Sequence, residues 1–316
     1  MTSLTVIVVA LGGALALSDP QCLDESGTTV DWYAIYKLPR EQHQRPSSNP
    51  LVNEGVAYAY MTSNSEQRWS LSERSIQDPH SMAGRTLAPL YGGSREGTFR
   101  LLYNDEHPDG NTSFTAGHTK GVVVLGSQRG FWLVHSVPKF PPAAEKYGYP
   151  RTGHMYGQTL LCVTIETAAN AEALGVQLAF NRPYIYAANV PRMFATHYPD
   201  LAAAAAGKYV RRPPYFHVAS LKSAAGTTFV SFAKHALFNK DLYADLVAPS
   251  LRVGLLVETW PNGRGRMNSS CRRPFIVENV QGGEIITLKK IKFELEKGRK
   301  IDTTILDANK IREEGE

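Results

Sequence analysis

The chain has 316 residues, 43% of them hydrophobic and 10% aromatic, with a formal net charge of +5 and a sequence pI near 9.0. This composition supplies a large buried core, in one domain or two, and no internal segment is long and apolar enough to span a bilayer. The basic balance favours a polyanionic partner, although charge alone does not single out nucleic acid.

A nearly unbroken apolar stretch occupies residues 4–17 at the N-terminus. It predicts a signal peptide over residues 1–17, with cleavage near Ala16 or Ser18. Because no basic residue precedes the stretch, an uncleaved anchor is the alternative. Cleavage would leave the mature chain without a membrane anchor in the secretory pathway, where cysteines can form disulfides.

Three cysteines and two glycosylation sequons follow the leader. The cysteines are Cys22, Cys162 and Cys271, and an odd number in a secreted chain indicates an intermolecular bond, a free thiol or a missing partner. Asn111 and Asn268 each begin an Asn-x-Ser sequon, which predicts an exposed, glycosylated loop at each position.

Alternating and continuous apolar runs between turn residues predict a mixed α/β chain. In chain order we expect strands at 55–61, 120–125 and 130–134, a proline-rich loop at 138–150, a strand within 157–167, helices at 168–180 and 201–210, a strand at 227–232, a short helix at 240–247 and a buried strand at 251–260.

The tripeptide His118-Thr119-Lys120 stands at the start of the second predicted strand. Residues two apart on a strand point to the same face, so the imidazole and the ammonium can meet one phosphate. The imidazole can attack phosphorus or transfer a proton, and the ammonium neutralises charge on oxygen. An isolated His-x-Lys is more often a solvated strand edge, so the surrounding sequence has to decide between the two interpretations.

Other histidines are weaker candidates. His135, at the end of the third predicted strand, could contact phosphate, but a structural role in the core is the favoured interpretation. His217 and His235 each have a lysine five residues later, at Lys222 and Lys240. That spacing places the pair on opposite faces of a strand and makes catalysis by either histidine an unfavoured interpretation.

Several further blocks share their sequence and order with one protein family. They are Cys22-Leu23-Asp24-Glu25, Val30-Asp31-Trp32-Tyr33, Gly84-Arg85-Thr86-Leu87, Leu102-Tyr103-Asn104-Asp105-Glu106, Gly117-His118-Thr119-Lys120-Gly121, Gly130-Phe131-Trp132-Leu133-Val134-His135, Gly157-Gln158-Thr159-Leu160-Leu161-Cys162 and Val257-Glu258-Thr259-Trp260. From about Cys22 to Val280 the chain closely resembles the deoxyribonuclease II family, which includes the plancitoxin-like secreted nucleases.

The resemblance implies a phospholipase D-like fold with two similar sheet-and-helix halves packed around a pseudo-two-fold axis. The halves would span about 18–155 and 156–280, each with a His-x-Lys strand at the central seam. It also implies a disulfide between Cys22 and Cys162, a secreted or lysosomal location, and DNA as substrate. The implied reaction is acid endonucleolytic hydrolysis to 3′-phosphate ends without a metal or other cofactor, with His118 and Lys120 in one half of the catalytic site.

The resemblance stops near Val280. The family's second His-x-Lys would lie about thirty residues after Cys271, yet the last histidine here is His235. Residues 281–316 form an atypical tail without His or Cys, and Cys271 therefore also lacks its expected partner. Three hypotheses follow: a family-type acid nuclease, a secreted DNA-binding homologue with impaired catalysis, or a C-terminus misassigned in the gene. The oligomeric state and the choice of His118 as nucleophile or general acid stay open.

Overall fold

A computed structural model describes residues 19–40, 47–65, 68–92, 97–143 and 146–255. The predicted signal peptide, Cys271, the Asn268 sequon, the 281–316 tail and the second half of the predicted strand 251–260 lie outside these ranges.

The described residues form ten strands and six α-helices. The strands are β1 (Trp32–Lys37), β2 (Tyr58–Thr62), β3 (Ser70–Leu71), β4 (Phe99–Tyr103), β5 (Gly121–Leu125), β6 (Arg129–His135), β7 (Gln158–Glu166), β8 (Ile185–Asn189), β9 (Phe216–Lys222) and β10 (Thr228–Lys234). The helices are α1 (Pro50–Glu54), α2 (Met82–Leu87), α3 (Thr167–Asn181), α4 (Arg192–His197), α5 (Pro199–Ala205) and α6 (Ala248–Leu251). Short 3₁₀ turns lie at Ala88–Leu90, Arg151–Gly153 and Ala236–Phe238, and a π-helical turn lies at Tyr243–Val247. The chain is therefore mixed α/β. No helix in the described ranges is long and apolar enough to cross a membrane.

Eight strands form one sheet in the order β3-β2-β1-β7-β6-β5-β4-β8, and each neighbouring pair is antiparallel. β1, β4 and β6 therefore end where β5 and β7 begin. We call this edge the polar end of the sheet, because it carries Lys37, Asn104, Lys120, His135 and Gln158. β9 and β10 form a separate two-stranded sheet.

Both faces of the large sheet are buried. On β5, Val122 and Val124 belong to one hydrophobic cluster and Val123 and Leu125 to another, as the alternation of side chains along a strand requires. Helix α3 covers the second face and packs on α5. The two helices approach so closely at Gly175 that any side chain there would collide with the backbone of Leu201.

Most predicted elements are present, with shifted ends. The strand expected at 55–61 begins at Tyr58, because Gly55 adopts a left-handed conformation (φ 72°) and caps α1. The helix expected at 201–210 is α5, which ends before Gly207, a residue with φ 74°. The short helix expected at 240–247 is the π-helical turn at Tyr243–Val247.

The prediction of a buried strand starting at Leu251 is wrong for the residues that the structure describes. Leu251 ends α6, Arg252 caps that helix with φ 57°, and residues 253–255 are neither in a strand nor buried. Pro249 in the first turn of α6 has the fixed φ that suits a helix start. A helix therefore forms here, although the apolar run that follows favours a strand.

The division into halves at 18–155 and 156–280 stays a prediction. The eight-stranded sheet takes β7 and β8 from the second range and its other strands from the first.

A disulfide joins Cys22, which precedes β1, to Cys162 in β7, with 6.0 Å between the Cα atoms and 140 residues between the two positions. Both cysteines are fully buried in the cluster that contains Tyr33 and Phe131. The Cys22 N–H also donates to the Thr164 hydroxyl at 3.1 Å. The bond therefore ties the N-terminal segment to the centre of the large sheet.

Replacing both cysteines, Cys22→Ala with Cys162→Ala, should lower the free energy of unfolding by roughly 4 to 5 kcal/mol, because the cross-link restricts the unfolded chain over a long loop. Urea unfolding measures the loss. The wild type reduced with dithiothreitol is the matched control, because it loses the bond without losing side-chain atoms. Equal stability of oxidised and reduced protein, or two free thiols in non-reducing peptide maps, would contradict the prediction.

Candidate active site

His118 and Lys120 lie on the segment that enters β5, not on the strand itself. β5 begins at Gly121, and the preceding residues are irregular, with the Gly117 N–H donating to the Arg182 carbonyl at 2.8 Å. The prediction that both residues sit on a strand is thus wrong: Lys120 precedes β5 by one residue and His118 by three. Lys120 nevertheless aligns with β6, because its carbonyl accepts from the His135 N–H at 3.2 Å.

The two side chains still converge, and their meeting point is Asp105. The Lys120 ammonium donates to Asp105 Oδ1, and His118 Nε2 lies 3.5 Å from Asp105 Oδ2. This second distance suits an ion pair with a protonated ring better than a tight hydrogen bond. One carboxylate therefore lies between the imidazole and the ammonium.

The two members of the motif differ in exposure. The His118 side chain is 87% exposed, whereas that of Lys120 is 5% exposed. An exposed imidazole can reach a phosphodiester in solution, while a buried ammonium supplies a fixed positive charge next to it. This pairing can hold a phosphate beside a reactive ring nitrogen.

Gly121 allows the close packing just behind the motif. A side chain there would collide with the Tyr103 hydroxyl and the Leu133 carbonyl. The Tyr103 hydroxyl accepts from Trp132 Nε1 at 3.0 Å. The start of β5 is thus held against both neighbouring strands.

Asn104 fixes the position of Asp105. Its buried side-chain amide donates to the carbonyls of Val137 at 3.0 Å and Phe140 at 2.9 Å, and its Oδ1 accepts from the Glu106 N–H at 3.0 Å. Asp105 therefore leaves β4 in a direction set by a satisfied buried amide. Sequence reasoning assigned no role to Asp105. Its only signal was its place in the block Tyr103-Asn104-Asp105-Glu106.

His135 is a core residue, as the favoured interpretation predicted. It is 6% exposed, its Nδ1 accepts from the Val137 N–H at 3.2 Å, and its ring packs edge-on against Phe140. Burial, and then the positive charge of Lys120, lower the pKa of His135 to about 3. His135 is therefore neutral near pH 5, and it packs beside Lys120, whose carbonyl accepts from its N–H.

The structure gives His217 and His235 structural surroundings. His217 Nδ1 lies 2.7 Å from Gln177 Oε1, and its ring stacks on Phe180. His235 is buried, and its Nδ1 accepts from the Leu237 N–H at 3.1 Å. These contacts agree with the interpretation from the sequence, which disfavoured catalysis by either histidine.

Asn111 is exposed in the loop between β4 and β5, and Asp109 accepts from its backbone N–H and its side-chain amide. Its position is accessible to glycosylation, which stays a prediction. In the part of the chain that the structure describes, no three His, Cys, Asp or Glu side chains are grouped so that they could hold a metal ion.

Comparison with known proteins places this chain in a family. The family model of deoxyribonuclease II matches residues 21–299. Deoxyribonuclease-2 of Caenorhabditis elegans is 38% identical over 284 residues, which are 82% of this chain and 75% of that protein. Plancitoxin-1 of Acanthaster planci is 36% identical, over 89% of this chain and 77% of its own. Deoxyribonuclease-2-alpha of Rattus norvegicus is 40% identical, over 79% of this chain and 71% of its own. The chain belongs to the deoxyribonuclease II family.

Proposed function

We propose that this chain is a secreted or lysosomal acid endonuclease that hydrolyses DNA to 3′-phosphate ends without a metal, with His118 and Lys120 in its catalytic site. The observation that carries the proposal is the convergence of an exposed imidazole and a buried ammonium on Asp105. The names of the relatives, which are deoxyribonucleases, support DNA as the substrate.

The reaction balances as a double displacement. A ring nitrogen of one histidine attacks phosphorus and forms a P–N bond. The bond from phosphorus to the leaving 5′-oxygen breaks, and the imidazolium of a second histidine protonates that oxygen. Water then cleaves the P–N bond and leaves a 3′-phosphate. A protonated general acid of this type requires a medium near or below the imidazole pKa, which favours an acidic optimum.

Asp105 and Lys120 have separate tasks in this scheme. If the Nε2–H of neutral His118 is directed at Asp105, the lone pair of Nδ1 is available for attack. The Lys120 ammonium can be shared between Asp105 and a non-bridging phosphate oxygen, because an ammonium carries three donors. It would thereby neutralise charge that grows on phosphate oxygen in the transition state.

A second candidate function is DNA binding with impaired turnover. The observation that favours it is the absence of a second His-x-Lys from the sequence, since His235 is the last histidine and is not followed by lysine two residues later. A lone motif supplies one imidazole of the two that the scheme requires. Binding should suffer less than catalysis, because phosphate contacts are spread over many basic residues.

His118→Ala and Lys120→Ala should each lower the rate of plasmid cleavage at pH 5 by at least about a hundredfold, because each removes a group that acts on the reacting phosphate. EDTA should leave the wild-type rate unchanged. His197→Ala, an exposed histidine on α4, is the matched control. Full activity in His118→Ala, or loss of wild-type activity with EDTA, would refute the catalytic assignment.

Because of His135, the folded state should be less stable in acid. Its pKa is about 3 in the folded chain and about 6.5 in the unfolded chain, so the unfolded state takes up a proton first as the pH falls from 6.5 towards 3. Stability that is present above pH 6.5 is lost across this window, by about 2 kcal/mol at pH 5.

His135→Asn keeps an acceptor for the Val137 N–H but has no such titration, so its free energy of unfolding should differ less between pH 7 and pH 5. Urea unfolding at both pH values measures the two differences. His197→Asn, with an exposed ring, is the control and should behave like wild type. An identical pH dependence in His135→Asn and wild type would contradict the prediction.

The missing motif gives a further prediction. Replacing the residues after Val280 with the C-terminus of a two-motif relative should raise the cleavage rate by several orders of magnitude, because paired catalytic groups act as a unit. DNA affinity at pH 5 should change far less. Equal cleavage rates for the two proteins would show that a second His-x-Lys is not needed.

A further inference from the structure

A second group of cations lies at the polar end of the sheet, away from His118. The Arg40 N–H donates to the His154 carbonyl at 3.1 Å, and the His154 N–H donates to the Arg151 carbonyl at 3.1 Å. The buried Lys37 ammonium donates to the same His154 carbonyl at 3.0 Å and to the Gly55 carbonyl at 3.1 Å. The end of β1 is thus locked to the 3₁₀ turn at Arg151–Gly153.

The positive charges of Lys37, Arg40 and Arg151 act together on His154. Burial lowers the pKa of His154, and the charges of Lys37, Arg151 and Arg40 lower it further, in that order, against a smaller opposite effect of Glu54. Within the described ranges, no acidic side chain forms an ion pair with Arg40 or Arg151. Both arginines are exposed.

In acid, Lys37 adds a buried positive charge to the group of Arg40 and Arg151. Burial lowers the pKa of Lys37 to about 7, so the group is protonated at the acidic pH of the proposed reaction. Its donors go to backbone carbonyls, which leaves the exposed guanidinium groups as the surface that a ligand meets. Guanidinium groups bind phosphate with paired hydrogen bonds.

Strand register gives the backbone separation between Lys37 and Lys120. Lys37 pairs with Gln158, His135 pairs with Leu160, and the His135 N–H binds the Lys120 carbonyl. The path from β1 to β5 thus crosses three strand spacings of about 4.8 Å, and with a two-residue offset the backbone positions of Lys37 and Lys120 are about 15 Å apart. On β6 and β7, which lie between them, the residues at this edge are His135, Ser136, Gln158 and Thr159, and none of these four is acidic.

We propose that Arg40 and Arg151 form a phosphate subsite for the DNA backbone at the same end of the sheet as the His118–Lys120 pair. The inference rests on the proposed function, because it takes the nucleic acid bound at His118 as the ligand.

The test compares two double variants with the same change of charge. Arg40→Ala with Arg151→Ala removes the subsite. Arg129→Ala with Arg192→Ala is the control, because Arg129 begins β6 and Arg192 follows β8, both at the opposite end of the sheet, and both are exposed. All proteins carry His118→Ala to prevent cleavage of the probe.

The measurement is fluorescence anisotropy with a 30-base-pair duplex at pH 5 over a range of salt concentrations. Loss of the subsite should raise Kd at least tenfold near 0.1 M salt and reduce the slope of log K against log salt by about 2, one for each lost phosphate contact. The control should change Kd by less than about threefold, because it alters only the long-range field.

An unchanged Kd and slope in Arg40→Ala/Arg151→Ala would overturn the subsite while leaving the proposed function intact. An equal weakening in both double variants would also overturn it, because net charge alone would then explain the effect. A chain that binds no DNA at pH 5 even with all four arginines would overturn the subsite and DNA as the substrate together.

Discussion

The ion pair between buried Lys120 and Asp105 is the constraint on which the site depends. A buried ammonium is costly without a counter-charge, and removing one member of a buried pair costs about 3 to 5 kcal/mol. The segment that leaves β4 must therefore stay against the segment that enters β5. Asn104 holds the first of these segments from the other side through its two bonds to carbonyls. The Asp105 carboxylate is therefore held in a fixed position next to His118, whose own side chain is exposed.

Antiparallel pairing explains why so much polar chemistry collects at one edge of the sheet. Strand ends and strand starts alternate along that edge, so polar residues from five strands come together there while the faces remain apolar. Burial keeps His135 neutral beside Lys120. The same edge carries Lys120, at the start of β5, and Lys37, at the end of β1.

Several histidines of this chain have structural surroundings that differ from those of His118. His135, His217 and His235 all accept or share hydrogen bonds within the fold, and His107 is buried against Tyr184 at a ring distance of 3.7 Å. Each is held by packing, whereas His118 presents its ring to solvent. Among the histidines of the described residues, His118 on the segment that enters β5 is the one beside Lys120 and Asp105 with an exposed ring.

The sequence by itself determined the family, the His118–Lys120 motif, the strands 121–125 and 129–135 to within one or two residues, and the central helix α3. These features are local: they follow from side-chain periodicity, turn residues and blocks of contiguous sequence. The partner of the motif, Asp105, and the grouping of Arg40 with Arg151 were decided only by the tertiary structure. Their neighbours are set by long-range pairing, in which β1 lies between β2 and β7. The order of strands in the sheet cannot be read from the spacing of residues along the chain. Contacts between residues more than a hundred positions apart depend on how the whole sheet buries its two faces.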